Sequence, residues 1–273
     1  LYYAANTWNE RPARDKKSLL EEQNINSYAK CKIIGLTLET RPDTINKESI
    51  TRLREYGCTR VQIGVQHTDD LILEKIHRGC TIAQVKQAIK LLKNACFKVD
   101  IHLMPNLPAS NPEKDFIMFN EVLNNQELQA DQWKIYPTEI VPWTVIKNWY
   151  DNGTYMPYDE ESMINLLVKV KSLVHPWIRL NRVVRDIPSQ YVLSDNIVPS
   201  RDEILERMKK ENKRCRCIRC REIKNKNAEH MELMIRKYKG SDGMEYFLSF
   251  EHDDVIDGFL RLRFTNEWSL PSL

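Results

Sequence analysis

The sequence predicts an α/β protein: a partial TIM-like (β/α) barrel over residues 1–198, a basic linker over 199–228, and the start of an α+β domain over 229–273. Three observations predict it. Short apolar runs alternate with amphipathic helical stretches about five times, at roughly 30–40-residue intervals, the pattern of βαβ units and a parallel sheet. Only 8 glycines occur in 273 residues, and none falls in a GxGxxG or P-loop pattern. The phosphate cradles of Rossmann and Walker folds are therefore excluded, and a barrel is favoured over a doubly wound sheet. After Pro199 the alternation stops and charged, then antiparallel, patterning takes over.

The elements follow in order. Residues 1–30 read as an irregular lead-in with a helix over Leu19–Tyr28. Lys32–Leu38 is an apolar, β-branched run and reads as a buried strand, which Pro42 ends by restricting its predecessor. Lys47–Tyr56 is a helix with Ile50 and Leu53 on one face and Gly57 as its stop. Thr59–Val65 is a strand with Gln66 at its end, and Asp69–Ile76 a short helix. Thr81 and Gln84 form a capping box, opening a helix whose Ile82, Val85, Ile89 and Leu92 share a face. Phe97–Met104 is a strand, Asn111-Pro112 starts a helix through Leu123, and Trp133–Tyr136 is a strand ending at Pro137. Helices at Thr144–Tyr150 and Glu160–Val174 precede a strand at Trp177–Val184. Glu203–Asn212 reads as a charged helix, and Glu232–Tyr238, Glu245–Phe250 and Asp257–Phe264 as strands of a second domain.

Composition narrows the function. A 42% hydrophobic and 29% charged chain of mean hydropathy −0.53 has a globular composition, with no run near the roughly 18 apolar residues of a membrane span. The start Leu1-Tyr2-Tyr3 has no initiator Met and no signal-peptide pattern, so the chain reads as a piece of a longer protein. Seven cysteines, an odd and scattered set, argue against a secreted disulfide framework and for a reducing, cytoplasmic compartment. The net charge is +3, but residues 205–226 hold ten Lys/Arg against three Glu, a local +7 that leaves about −4 elsewhere. Such a block fits a polyanion contact or a solvated helix face.

In barrels the chemistry sits at the C-terminal strand ends. Here these carry Glu39 and Arg41, Gln66, His102 and Pro105, Tyr136 and Thr138, and Arg185 and Asp186. Glu39 and Arg41 read either as a salt bridge or as two anchors for a zwitterionic ligand. His102 reads as a core histidine or a site residue. Gly64 lets something approach strand 59–65 closely. Cys215, Cys217 and Cys220 form C-x-C-x-x-C in an arginine-rich setting that favours thiolates. Structural zinc is the first reading, with redox-paired surface cysteines or an iron–sulfur site as alternatives. A fourth ligand is sought at His230, His252 or beyond residue 273.

Several stretches together resemble the family of Elongator catalytic subunits: Gly35–Asp43, Tyr56–Gln66, His77–Gly79, His102–Pro108, Lys134–Thr138, Arg185–Pro188, Cys215–Glu222, Tyr246–Glu251 and Gly258–Arg263. The resemblance runs in order along nearly the whole chain, the first thirty residues carrying little of it. It implies a radical S-adenosylmethionine barrel, a zinc-bearing linker and an acetyltransferase-like domain. The implied activity is carboxymethylation of the wobble uridine (U34) of tRNA. The implied cofactors are S-adenosylmethionine, a [4Fe–4S] cluster that generates a 5′-deoxyadenosyl radical, and zinc, with acetyl-CoA as carbon donor. The implied partners are tRNA and other Elongator subunits. By the same resemblance Glu39, Gln66 and Arg78 would bind S-adenosylmethionine through its methionine moiety, ribose and carboxylate. His102, Lys134 and Tyr136 would line the reacting pocket. Cys215, Cys217 and Cys220 would hold zinc, and Lys209, Lys210, Lys213, Arg214, Arg216 and Arg219 would contact tRNA phosphates.

The sequence departs from the family in places. The three-cysteine cluster motif is absent, as is the acetyl-CoA part of the second domain. His67 stands where Ser is usual, Cys80 where His is usual, and Glu139–Trp143 replaces a glycine-containing continuation. Two other readings remain: a radical S-adenosylmethionine enzyme with another substrate, and a non-catalytic tRNA-binding remnant.

Overall fold

The computed structural model describes residues 1–10, 14–184, 199–224 and 230–267. Two helices, α1 (Tyr2–Glu10) and α2 (Leu19–Tyr28), come first. The sequence reading missed α1, which lacks any capping residue or acidic first turn. Buried polar contacts tie the pair together: Asn6 donates to the Glu22 carboxylate (2.8 Å) and Asn26 to Asn6 (2.9 Å).

The central unit is a five-stranded, all-parallel sheet of β1 (Leu36–Thr40), β2 (Cys58–Gln66), β3 (Lys98–Leu103), β4 (Gln132–Ile135) and β5 (Arg179–Val183). Its spatial order is its sequence order, as in a stretch of (β/α) barrel. The crossovers carry α3 (Lys47–Glu55), α4 (Asp70–Lys75), α5 (Ile82–Asn94), α6 (Pro112–Asn124), α7 (Val145–Asp151) and α8 (Glu160–Leu173). Local signals set these helices. Asn46 and Thr81 close capping boxes, Asn111 caps a helix with Pro at its first turn, and Gly57 follows α3 at φ +74°. The first strand runs over 36–40 and not 32–38. Its pairing begins at Leu36 against Cys58, while Ile34 is exposed.

The two faces of this sheet differ. Val61, Ile63, Val99, Ile101, Leu103, Trp133, Ile135 and Leu180 are buried against Ile50, Val85, Ile89, Phe119, Val122, Leu167 and Val170 of the helices, forming one core. The alternate positions carry polar side chains: Thr37, Glu39, Arg60, Gln62, Asp100, His102, Gln132 and Lys134. Parallel strands ordinarily read apolar on both faces. Here one face is polar instead, with hydrogen-bonding side chains from adjacent strands brought side by side.

The basic segment does not hang free of the barrel. Ile204 and Met208 of α9 (Arg201–Lys210), with Cys215 and Cys217, belong to the barrel core, and α10 (Ile218–Arg221) docks through the Ile218 N–H on the Ile178 carbonyl (3.0 Å). The final antiparallel sheet of β6 (Glu232–Gly240), β7 (Gly243–His252) and β8 (Val255–Phe264) packs onto it. Tyr238 stacks on Trp177 at 4.5 Å, Trp177 stacks in turn on His175, and Arg221 is buried between Glu251 (2.9 Å) and the Pro176 carbonyl (2.7 Å). Among the described residues no helix is long and apolar enough to cross a membrane.

Candidate functional site

The ends of β1, β3 and β4 bring Glu39, His102 and Tyr136 together, and the end of β2 sets Gln66 near Arg78. Gln66 closes β2 at φ +70°, after a register shift between Gly64 and Gln66. A Cβ on Gly64 would stand 2.5 Å from Arg78 Nη2 and 2.8 Å from Gln66 Nε2. Glycine is therefore what allows both side chains to lie across the strand. Arg78 reaches back from beyond α4 and donates to the Gly64 carbonyl (2.7 Å). Its turn is pinned by Arg41, which donates twice to Asp43 (both 2.9 Å) and once to the Gly79 carbonyl (3.2 Å). Gly79 sits at φ +69° with the guanidinium close by, so the Arg41–Asp43 pair works as a clamp on the Arg78 turn. Glu39 and Arg41 thus do not pair with one another. Glu39 faces His102 instead, its carboxylate 3.6 Å from Nδ1. The His102 ring meets the Tyr136 ring edge-on at 5.5 Å. Gln66 Oε1 is buried and receives no hydrogen bond.

Lys134 lies one strand further on and donates to Gln62 Oε1 (2.7 Å). Gln62 leads to Asp100 Oδ2 (3.4 Å), which also accepts from Asn181 (2.6 Å), and Asn181 bonds Gln132. Arg60 donates to Thr37 (2.9 Å) and Gln132 (3.1 Å). The sequence reading singled out none of Arg60, Gln62, Asp100, Gln132 and Asn181. The signal was present in the alternation Arg60-Val-Gln62-Ile-Gly64, which puts polar residues on one face.

Burial pushes the Asp100 carboxyl up to about 6, against the hydrogen bond from Asn181 and the charge of Lys134. Its folded value lies above its unfolded one, so the folded state holds the proton more strongly. Stability from this group is greatest below pH 4 and falls as pH rises from 4 to 6, by about 3 kcal/mol in full. Asp100→Asn is expected to be more stable than the parent at pH 7 and to lose the parent's decline between pH 4 and 6, read by urea unfolding across that range.

The cysteine motif forms a compact cluster. The Sγ atoms of Cys215, Cys217 and Cys220 all lie within 4.8 Å of one another. The turn α10 brings Cys220 back over Cys217, its N–H bonding the Cys217 carbonyl (3.0 Å). Hydrogen bonds from Cys215 and Cys217 draw the Cys220 thiol below its ordinary value, helped by Lys171 and Arg201. The same contacts, with burial, push Cys215 up. His230 and His252 do not join the cluster.

Of the six basic residues read as phosphate contacts, Lys209, Lys210, Lys213 and Arg214 are exposed. The other two turn inward: Arg216 bonds Asp254 (3.1 Å), and Arg219 donates to the Asn181 carbonyl. Arg214 also approaches Asp254 (3.7 Å) but stays exposed, and local charge alone could not separate the two groups, because Asp254 and Asn181 lie far away in the sequence. Arg185 and Asp186 lie outside the described residues.

Residues 9–118 match the Radical SAM superfamily, and residues 130–214 the Radical SAM C-terminal domain. The chain is 39% identical over 252 residues to the tRNA uridine(34) acetyltransferase of Dehalococcoides mccartyi, covering 90% of this chain and 55% of the relative. It is 36% identical over 277 residues to Elongator complex protein 3 of Dictyostelium discoideum, covering 98% and 50%. Its fold superposes on the archaeal Methanocaldococcus infernus Elp3, solved with an N-terminal deletion, at a TM-score of 0.91 and 36% identity, covering 98% of this chain and 64% of that one. The chain belongs to the Elongator protein 3 family of radical SAM proteins. It spans about half the length of the curated relatives it matches.

Proposed function

We propose that this chain supplies the radical S-adenosylmethionine barrel, the adjoining basic segment and the neighbouring antiparallel sheet of an acyltransferase-type enzyme that modifies uridine 34 of tRNA. The observation that carries the reading is the Gly64–Gln66–Arg78 arrangement, a glycine-opened notch at a barrel strand end with a guanidinium and an unmatched buried amide oxygen. It fits S-adenosylmethionine: Arg78 would hold the carboxylate by charge-assisted hydrogen bonds, Gln66 the ribose, and Glu39 the methionine ammonium. When bound and reduced at an iron–sulfur cluster, that cofactor supplies a carbon radical. The cluster is another matter, since of the seven cysteines only Cys215, Cys217 and Cys220 come together, and they lie in the basic segment and not at the strand ends. This chain's residues therefore do not fit the cluster.

Within the pocket, His102 and Tyr136 pack against each other beside Glu39, and Lys134 is held by Gln62. These groups orient the uridine and hold its mobile protons while excluding water. The two-carbon unit would come from acetyl-CoA at a site outside these residues and would leave a carboxymethyl group on the base. Lys209, Lys210, Lys213 and Arg214 offer an exposed basic patch for tRNA phosphates, and other Elongator subunits are the expected company. The test is nucleoside analysis of tRNA from cells carrying the full-length protein with Arg78→Ala. Loss of the uridine-34 modification is expected, and an unchanged nucleoside profile would refute the assignment.

The cysteine cluster suits a structural zinc ion, three thiolates with one position left for a further ligand. Metal analysis of the full-length protein is expected to find zinc in the parent. None is expected in the Cys215→Ser/Cys217→Ser/Cys220→Ser variant.

A further inference from the structure

Gln66 ends β2 in a strained turn. The His67 N–H bonds back to the Val65 carbonyl (3.0 Å), while Gln66 itself sits at φ +70°. This is a γ-turn of the rare positive-φ kind, which persists only where its surroundings hold it. The Met104 N–H holds the Gln66 carbonyl from one side (2.8 Å). The next side chain, His67, holds the turn from the other.

The His67 ring is buried, and so is Asp115 on α6. The ring's Nδ1 accepts from the N–H of Asp69, the cap of α4 (2.9 Å), so in the neutral imidazole Nε2 carries the hydrogen. That Nε2 makes no hydrogen bond of standard geometry and lies 3.3 Å from Asp115 Oδ1, which leaves the carboxylate as its counterpart. Asp115 is fixed in turn. It accepts from the Asn106 N–H (2.6 Å) and the Ser110 hydroxyl (2.5 Å) in the loop after β3, and from the Tyr158 hydroxyl (2.8 Å) just before α8. One buried carboxylate therefore braces the segments that leave β2 and β3 against the approach to α8. The ring touches both parts of the notch. Gln66 is its chain neighbour, and through Asp69 it anchors α4, onto whose Leu73 carbonyl the Arg78 N–H bonds (2.9 Å).

We propose that His67 is a positioning residue for S-adenosylmethionine: set against Asp115, it holds Gln66 in its left-handed turn, with the amide across the Gly64 notch. The inference rests on the reading of that notch as the S-adenosylmethionine site. His67 itself would touch no part of the ligand.

Equilibrium binding of S-adenosylmethionine to the full-length, cluster-loaded protein tests it, measured well below the thermal midpoint of each variant. Two substitutions each keep one half of the ring's polarity. The longer amide of His67→Gln can reach Asp115 as Nε2 does, whereas the amide oxygen of His67→Asn replaces only the Nδ1 acceptor. Affinity is expected to fall roughly tenfold or more in His67→Asn and to stay within about threefold of the parent in His67→Gln. A merely structural role for the ring would lower the thermal midpoint of both variants and leave their affinities alike. Parent-like affinity in His67→Asn, or equal losses in the two variants, would overturn the inference. Arg78→Ala is the reference: undiminished binding in that variant would overturn the reading of the notch itself, and the inference with it.

Discussion

Gly64→Ala is expected to leave the fold standing and to remove most affinity for S-adenosylmethionine. The new Cβ would meet the far ends of two flexible side chains, Arg78 at 2.5 Å and Gln66 at 2.8 Å, with no backbone atom among its closest neighbours. Relief comes from swinging those ends away, which costs little in stability. It does break the Arg78 bond to the Gly64 carbonyl and moves both polar groups off the notch. Losing one charge-assisted hydrogen bond is worth roughly 1.5–3 kcal/mol, tenfold or more in affinity. Equilibrium binding of S-adenosylmethionine to the full-length protein should show that loss, while the thermal midpoint stays within about 3 °C of the parent. An unchanged affinity would place the cofactor elsewhere.

Lys93→Met is expected to be the most destabilising single change at the junction of the two sheets. Lys93 on α5 is buried between Asp131, just before β4, and Glu245 on β7, and these charges hold its ammonium above the ordinary value against the cost of burial. Removing the ammonium leaves two buried carboxylates facing Arg261 and Arg263 alone. Breaking a buried pair in this way costs about 3–5 kcal/mol, or a fall of roughly 10 °C in Tm, measured by thermal unfolding. Adding Asp131→Asn to Lys93→Met should restore part of the loss, because one of the stranded charges then disappears.

The parts that the sequence made legible were those with local causes. Asn46, Thr81 and Asn111 announce helix starts within three residues of themselves, and the β-branched runs of β2 and β3 announce strands. Glu39, Gln66, His102 and Tyr136 could be placed at strand ends because the barrel pattern says where to look, whereas Lys134 entered through the family resemblance. What escaped depended on pairing at a distance. The start of β1 is set by where Cys58 offers it a neighbour, not by the apolarity of Ile33 and Ile34. Arg216 and Arg219 lie in a run of like charge, yet their partners Asp254 and Asn181 lie 38 residues away on either side. The Lys93–Glu245 contact spans two sheets, and nothing near either residue foretells it.

The sequential order of the parallel strands has a consequence for how the chain is made. Each strand hydrogen-bonds to the strand synthesised just before it, and each intervening helix covers the pair it joins. No early strand waits for a distant one, so loop-closure entropy is met in small instalments and contact order within the barrel stays low. The barrel can therefore assemble in the direction of translation, strand by strand, with the antiparallel sheet arriving last to fasten onto Trp177 and Asp131.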